Sequence, residues 1–192
     1  MWNRFMHSDS ARNSGNARSV PRSLNQIPLT KNIVKNVKEK SPMYIIGIDP
    51  GKTGAAAHIK DGVLLDVRPF KGEIDNCRLV GIPPYEPVTY FIERVTASPQ
   101  MGVVSAFTFG RWAEAVECSA LMSGFPVHLI RPQVWQNAIG VFSGGDKNRL
   151  YRYAKKIFPR QYEMKMFNQA TADAVLIAFY GWRYMKTKEE EK

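Results

Sequence analysis

Three acidic side chains at the edges of apolar segments are the residues of this chain best suited to chemistry. Asp49 ends the run YIIGID before a Pro-Gly turn, Glu93 ends VTYFIE, and Asp173 lies near the start of ATADAVLIAFYG. Ionised carboxylates in an apolar setting are costly unless they are paired or bind a metal. Hard cations such as Mg²⁺ prefer oxygen ligands, and two such ions can promote phosphodiester cleavage. The three acids therefore predict a metal site.

Each acid, taken singly, also has an ordinary structural interpretation. Asp49 before Pro-Gly is typical of a turn, and Glu93 next to Arg94 is compatible with a surface ion pair. Asp173 is compatible with a helix start, where the dipole favours negative charge. The placement of all three inside apolar runs favours the metal site.

The elements that would position these acids alternate between strands and helices. YIIGID, AAAHIK, VLLDVRPF, VTYFIERV and FPVHLIRP predict short strands, and Asp61-Gly62 predicts a hairpin turn between the second and third. Residues 71–86 indicate a connecting loop or an ill-defined helix. Segments 103–124, 133–140, 147–159 and 170–186 predict helices. The order describes one α/β domain, in which a mixed sheet is covered by helices.

Side-chain patterns within two of these helices predict a buried and an exposed face. Phe109, Ala113, Val116 and Ala120 form one stripe of the long helix, and Phe107, Phe109 and Trp112 are interpreted as core or subunit interface. In the segment from Lys147, apolar positions 150, 154, 157 and 158 face inward, which leaves the basic residues on the outside.

Composition limits the class of protein. The 192 residues suffice for one well-packed domain, and no run approaches the roughly 20 apolar residues that span a bilayer, so we expect a soluble protein without a membrane partner. Cys77 and Cys118 lack metal-ligand spacing and are expected to be buried thiols in a reducing compartment. The net charge of +10 favours a polyanionic partner such as nucleic acid.

The positive charge is concentrated in two segments. Residues 1–42 hold eight Lys and Arg against two acids, and residues 147–165 hold seven against Glu163 alone. The first segment is rich in Arg, Ser and Asn, which predicts a disordered basic extension. Three interpretations stay open: a dispensable extension, a basic arm on phosphate, or an organellar presequence. The predicted domains are this extension, one α/β domain over 43–186, and a charged tail over 187–192.

Six blocks of the sequence, in order, resemble the motifs of RuvC-type Holliday junction resolvases, most closely the compact phage-encoded branch. The blocks are IIGIDPGKTGA, YFIERV, FTFGRWAEAV, PVHLIRPQVWQNAIG, GGDKNRLYRYAKKIFP and ATADAVLIAFYG. The resemblance implies an RNase H-like fold, a homodimer, and cutting of branched DNA with Mg²⁺ or Mn²⁺ in DNA recombination and repair.

By position, Asp49, Glu93 and Asp173 match the family's metal-binding carboxylates, and Lys147 matches a basic residue near the scissile phosphate. The charge of Lys147 would steady the transition state, since phosphoryl transfer depends on positioning and electrostatics; an ordinary helix-start lysine is the alternative.

The chain also departs from the family pattern at three places. Asn168 and Gln169 stand where the family places a fourth acidic or His ligand, and they offer neutral oxygens instead. Trp135 or Gln136 occupies a second basic position, with Arg131 nearby as a substitute. Thr96 replaces an aromatic residue that some members stack on bases.

The expected partner is branched DNA, held mainly through its phosphates. The predicted contacts are Arg131, Lys147, Arg149, Arg152, Lys155 and Lys156. A two-fold dimer suits a four-way junction, because two symmetric nicks need two active sites.

The main functional prediction is a crossover-junction endodeoxyribonuclease. Two alternatives stay open: a catalytically weakened junction-binding protein, and an RNase H-fold nuclease that acts on RNA. A sugar kinase or actin-like ATPase is set aside because its second domain does not fit in 192 residues. The expected location is the cytoplasm, which for a phage-encoded protein is that of the bacterial host. If residues 1–42 are a presequence, the expected location is an organelle.

Overall fold

The computed structural model describes residues 42–71, 87–142, 144, 146–163 and 166–191. Its strands are β1 (Tyr44–Asp49), β2 (Ala55–Lys60), β3 (Val63–Pro69), β4 (Val88–Glu93) and β5 (Val127–Ile130); its helices are α1 (Val103–Met122), α2 (Pro132–Ile139), α3 (Lys147–Ile157) and α4 (Ala172–Glu190), with a short 3₁₀ turn at Gln161–Glu163. Most of residues 71–86 and residues 1–41, including the predicted extension and Cys77, lie outside the described residues.

The strands form one five-stranded mixed sheet in the order β3-β2-β1-β4-β5. β2 pairs antiparallel with both β1 and β3. β4 pairs parallel with both β1 and β5. The predicted hairpin is confirmed: Asp61 and Gly62 both adopt positive φ, at 48° and 85°, as a two-residue turn between right-twisted strands requires. The predicted α/β class, with a mixed sheet flanked by helices, is confirmed.

Alternate side chains of the sheet pack into two separate cores, as the period of two along a strand dictates. Ile45, Ala57 and Phe91 face α2, α3 and α4 on one side. Ile46, Ile48 and Tyr90 face α1 on the other side, against Val116 and Ala120. We call these the α4 face and the α1 face.

One expectation about an individual residue is wrong, and the last helix is longer than the predicted 170–186. Cys118 is exposed, with its thiol 3.3 Å from Glu114 Oε1, so the expected burial of this thiol is wrong; its position in α1 points away from Val116 and Ala120. Residues 187–190 of the predicted tail continue α4. No helix within the described ranges has both the length and the apolarity needed to cross a membrane.

Candidate active site

Asp49 is held at the carboxyl end of β1 by a tight turn. The Gly54 N–H donates to Gly51 O over 3.1 Å, and a Cβ on Gly54 would collide with the carbonyl oxygen of Asp49. The glycine is therefore required where the chain doubles back to pair Ala55 with Asp49 in β2. The DPGKTG segment is thus a turn that fixes the backbone of Asp49.

Glu93 stands beside Asp49 at the same edge of the sheet. β1 and β4 are parallel neighbours in the register Ile48 to Ile92, so the next residue of each strand is Asp49 and Glu93. Both alternate onto the α4 face, because Gly47 and Phe91 two residues earlier meet α4 there. Both side chains are half-buried.

The direction of α4 brings Asp173 to this same edge. A Cβ on Gly47 would lie 2.6 Å from Ala174 O, whereas a Cβ on Gly62, in the hairpin at the opposite end of the sheet, would lie 2.7 Å from the Trp182 ring. The first turn of α4 therefore lies at the carboxyl end of β1, and Asp173 is in that turn. The three predicted acids come from three elements that meet at one edge.

Trp135 fixes the orientation of Glu93. Its ring is fully buried, and its Nε1–H donates to Glu93 Oε2 over 2.8 Å. α2 places this side chain because Pro132 begins the helix with a suitable φ, and Trp135 and Ile139 form its buried stripe. A hydrogen bond from a buried ring to this half-buried carboxylate restricts rotation of the Glu93 side chain.

The oxygen atoms of the three acids suit a hard divalent cation, although the three carboxylates do not surround one common position. Asp49, Glu93 and Asp173 supply only oxygen ligands, which Mg²⁺ and Mn²⁺ prefer. Within the described ranges, no three His, Cys, Asp or Glu side chains are grouped closely enough to enclose one metal ion. Mg²⁺ usually keeps several water ligands and takes one or two carboxylates from the protein, so an open edge of this kind suits it.

α3 begins near the same edge and carries the basic segment away from it. Tyr151 packs on Phe167 just before α4, and Phe158 packs on Phe179 further along it. The start of α3, at Lys147, is thus at the end of the sheet that carries the acids, and Lys156 lies about 13 Å further along the helix axis. Asp146 caps the helix, with its Oδ1 accepting from Asn148 N over 2.9 Å.

The basic side chains of α3 are not equivalent. Arg149 and Lys156 are exposed, whereas Lys155 is half-buried with its Nζ 5.6 Å from the centre of the Tyr151 ring. Arg152 is exposed and pairs with Asp146 over 3.4 Å. An exposed ion pair at this distance contributes little stability, so Arg152 can exchange its partner for a phosphate at small cost.

The residues expected to replace a fourth acid lie just before α4. Asn168 Oδ1 accepts from Ala170 N over 2.9 Å, so this oxygen stabilises the turn that leads into the helix. Gln169 is exposed. Thr171, which is buried, donates from Oγ1 to Met166 O over 2.8 Å and fixes the same turn.

Two arginines border a cleft beside Glu93. Arg131 was expected to contact DNA, and it is exposed at the N-terminus of α2. Arg94, which was considered only as an ion-pair partner of Glu93, lines the same cleft. Neither Arg94 nor the Trp135 bond was predicted as functional. In the sequence, Arg94 is marked only by its position directly after Glu93. Trp135 is marked only by its place at the family's second basic position.

Comparisons with known proteins support the fold. No protein-family model matches the chain, and no curated protein matches it. The structure of T. thermophilus RuvC in complex with a Holliday junction substrate matches with a TM-score of 0.57 at 18% identity, over 76% of this chain and 96% of that chain. A second Thermus thermophilus RuvC structure matches with a TM-score of 0.56 at 18% identity, over 76% and 97%. The chain therefore has the RuvC fold, of the RNase H-like class.

Proposed function

We propose that this chain is a metal-dependent endonuclease that hydrolyses phosphodiesters in four-way junctions or other branched DNA. The observation that carries the proposal is the placement of Asp49 and Glu93 at adjacent carboxyl ends of parallel strands, below the first turn of α4 with Asp173. The likeness to a RuvC bound to a Holliday junction supports the choice of substrate. The six sequence motifs favour the compact phage-encoded branch of that family.

Each residue of the site has a distinct role in this proposal. Asp49, Glu93 and Asp173 would hold Mg²⁺ or Mn²⁺, with Asn168 and Gln169 as further oxygen donors. A divalent cation in this position supplies Lewis-acid stabilisation and lowers the pKa of bound water. Trp135 holds the Glu93 carboxylate in one orientation through the 2.8 Å bond. Lys147 supplies positive charge near the phosphate that is cut.

The DNA arms would be held along α3 and at α2. Arg149, Arg152, Lys155 and Lys156 extend from the edge that carries the acids. Arg131, directly before α2, adds a guanidinium that lines the cleft beside Glu93. Such phosphate contacts make affinity fall steeply with salt, and they do not depend on base sequence.

A homodimer would place two such sites on one junction, and α1 offers the surface for it. Val103, Val104 and Phe107 are 86%, 79% and 69% exposed at the start of this helix. Adjacent large apolar side chains at this exposure are typical of an interaction surface. A two-fold pair formed through α1 would cut the two strands symmetrically.

One observation favours the junction-binding alternative. The position of a fourth acid is taken by neutral Asn168 and Gln169, and Asn168 Oδ1 already accepts a hydrogen bond from Ala170 N. A site with fewer charged ligands binds Mg²⁺ more weakly. In this alternative the chain holds junctions without cutting them.

The deciding experiment is cleavage of an end-labelled four-way DNA junction with Mg²⁺ or Mn²⁺, beside a linear duplex and an RNA–DNA duplex. Asp49→Asn removes one charge from the site, and Glu163→Gln removes one exposed charge elsewhere as the matched control. We expect paired nicks in the junction with the wild type and the control. We expect cutting by Asp49→Asn to fall at least about 100-fold.

Other outcomes separate the alternatives. Tight junction binding without cutting in either metal would establish the binding protein. Preferential cutting of the RNA strand would establish the RNA nuclease. Equal cutting by Asp49→Asn and the wild type would overturn the assigned site.

A further inference from the structure

The far half of α4 carries two cations, Arg183 and Lys186, at the end of the sheet opposite the acids. Both side chains are exposed, and among the residues that the structure describes neither forms an ion pair. Their neighbour Trp182 marks the hairpin end of the sheet, because a Cβ on Gly62 would lie 2.7 Å from its ring. None of the roles proposed above uses these two cations.

Each of the two cations lies against an aromatic ring. The guanidinium carbon of Arg183 is 5.9 Å from the centre of the Phe179 ring, and Nζ of Lys186 is 5.5 Å from the centre of the Trp182 ring. A cation at such a distance is attracted to the ring face. Because a ring carries no net charge, the two side chains are held in place while their positive charge stays uncompensated. They can therefore bind an anion without first breaking an ion pair.

The two cations continue the row of exposed basic side chains on α3. α3 and α4 run in the same direction from the edge that carries the acids, and the end of α3 meets α4 where the rings of Phe158 and Phe179 lie 5.9 Å apart. Arg183 lies over that same Phe179 ring, and Lys186 is almost one helical turn further along α4. The basic row therefore passes from α3 to α4 at this pair of rings.

The basic row ends at Lys186, because the last turn of α4 is acidic. Lys188 donates to Glu191 Oε2 over 2.8 Å, so its charge is already compensated. Glu189 and Glu190 belong to the same turn. A phosphate would be repelled by these carboxylates.

The distance from the acids to the two cations is set by the helix. A rise of about 1.5 Å per residue places Arg183 about 15 Å and Lys186 about 20 Å beyond Asp173 along the axis of α4. Duplex DNA rises about 3.4 Å per base pair. A duplex arm that leaves the acids along α4 would therefore pass the two cations with about its fourth to sixth base pair.

We propose that Arg183 and Lys186 bind phosphates of a duplex DNA arm, about four to six base pairs from the phosphate that is cut. The proposal rests on the proposed function, because it assumes DNA at the three acids. It extends the contacts along α3 to the far half of α4, so that one subunit holds about half a helical turn of one arm. The substrate must then offer a continuous paired arm of at least about six base pairs.

The test removes single charges from the DNA and from the protein together. A four-way junction with arms of about 15 base pairs carries one neutral methylphosphonate linkage, moved in turn from the branch point to about the tenth base pair of an arm. Binding is measured in EDTA so that no cutting competes. Arg183→Gln and Lys186→Gln remove the proposed contacts. Lys188→Gln removes the same charge from the same helix, at a position that Glu191 already pairs, and is the matched control.

For the wild type and Lys188→Gln, we expect neutral linkages about four to six base pairs from the branch point to weaken binding by about 3-fold, as loss of one exposed ion pair does. In Lys186→Gln, the unmodified junction should already bind more weakly by that factor, with no further loss at one of these positions. Arg183→Gln should behave in the same way at a position nearer the branch point. Unchanged sensitivity in both variants, or no sensitive position in this range, would overturn the proposal.

The salt dependence of the same binding gives a second readout. Arg183→Gln and Lys186→Gln should each lower the slope of log affinity against log salt by about 1, whereas Lys188→Gln should leave the slope unchanged. An unchanged slope in both variants would overturn the phosphate contacts. Because cutting is assayed separately, coupling without cutting overturns only the proposed endonuclease, and cutting without coupling overturns only the arm contact.

Discussion

The helices on the two faces of the sheet are of similar length but pack very differently. α4 has 19 residues, and seven of them are buried, including Ala174, Ala178 and Gly181. α1 has 20 residues, and only Val116 and Ala120 are buried. Small residues let α4 approach so closely that Gly47 has no room for a side chain, whereas α1 contacts the sheet by one narrow stripe.

This difference in packing gives the two faces of the sheet different roles. The α4 face fixes the backbone positions of Asp49, Glu93 and Asp173, and this requires close packing. The α1 face leaves apolar side chains and a cleft exposed, which is what the proposed surface for a second copy and for substrate would require.

The largest expected effect is on the free energy of unfolding, when a methyl group is added on the α4 face and, for comparison, on α1. Gly47→Ala would force β1 and α4 apart, and overpacking of this kind costs about 3 kcal/mol. Gly110→Ala, in the middle of α1 with nothing within 4 Å of the new Cβ, should stabilise the protein by about 0.5 kcal/mol through helix propensity. Urea denaturation midpoints measure both, and equal shifts would refute the contrast between the faces.

The second effect concerns the exposed start of α1. Phe107→Glu places a charge among Val103 and Val104 and should weaken self-association by about 2 kcal/mol, as loss of a central apolar residue does. Leu65→Glu, at a similarly exposed apolar position on β3, should leave association unchanged. Sedimentation velocity over a concentration series distinguishes them. A wild type that stays monomeric, or a Phe107→Glu protein that still dimerises, would contradict the assignment of α1.

The third effect tests the contribution of the α4 face to the site itself. Trp135→Phe keeps a buried ring but removes the donor to Glu93 Oε2. Loss of a partner that orients a metal ligand should raise the Mn²⁺ concentration for half-maximal cutting by about 10-fold. Trp182→Phe, further along α4, is the matched control. An identical Mn²⁺ dependence in Trp135→Phe would show that the bond serves stability alone.

The smallest effect comes from His58 on the α1 face. Burial lowers the pKa of His58 from its usual 6.5, and the nearby Arg68 guanidinium lowers it further while Asp66 partly offsets this. The unfolded chain therefore binds the proton more readily, so stability should decrease as the pH falls below about 6.5 towards the lower pKa of the folded state. Unfolding free energies between pH 5.5 and 7.5 should show a steeper decrease for the wild type than for His58→Gln; parallel curves would contradict it.

Local patterns in the sequence predicted the elements well. Asp61-Gly62 identified the hairpin because only a few residue types tolerate positive φ at both turn positions. The acids Asp49 and Glu93 were placed at strand ends because apolar runs stop there, and the structure has both strands ending at those residues. Their roles as ligands, and that of Lys147, stay predictions.

Contacts between distant segments were not predictable in this way. The Trp135–Glu93 bond joins residues 42 positions apart, and nothing in either segment identifies its partner. Cys118 was expected to be buried because its segment is apolar, but α1 packs through one stripe and leaves the thiol exposed. Phe109 was expected in the core or an interface, and the structure has it half-buried on the wall of the cleft.

The close seating of α4 on β1 and β4 also has a consequence for motion. Gly47 meets the backbone of α4, and Gly181 leaves only enough room for the Phe91 ring, so the helix cannot slide or rotate on the sheet without steric overlap. These elements must move as one rigid body, and their amides should exchange with solvent only through global unfolding. Any adjustment to a bound partner is therefore left to α1 and the segments around the cleft, and the three acids keep a fixed frame while it occurs.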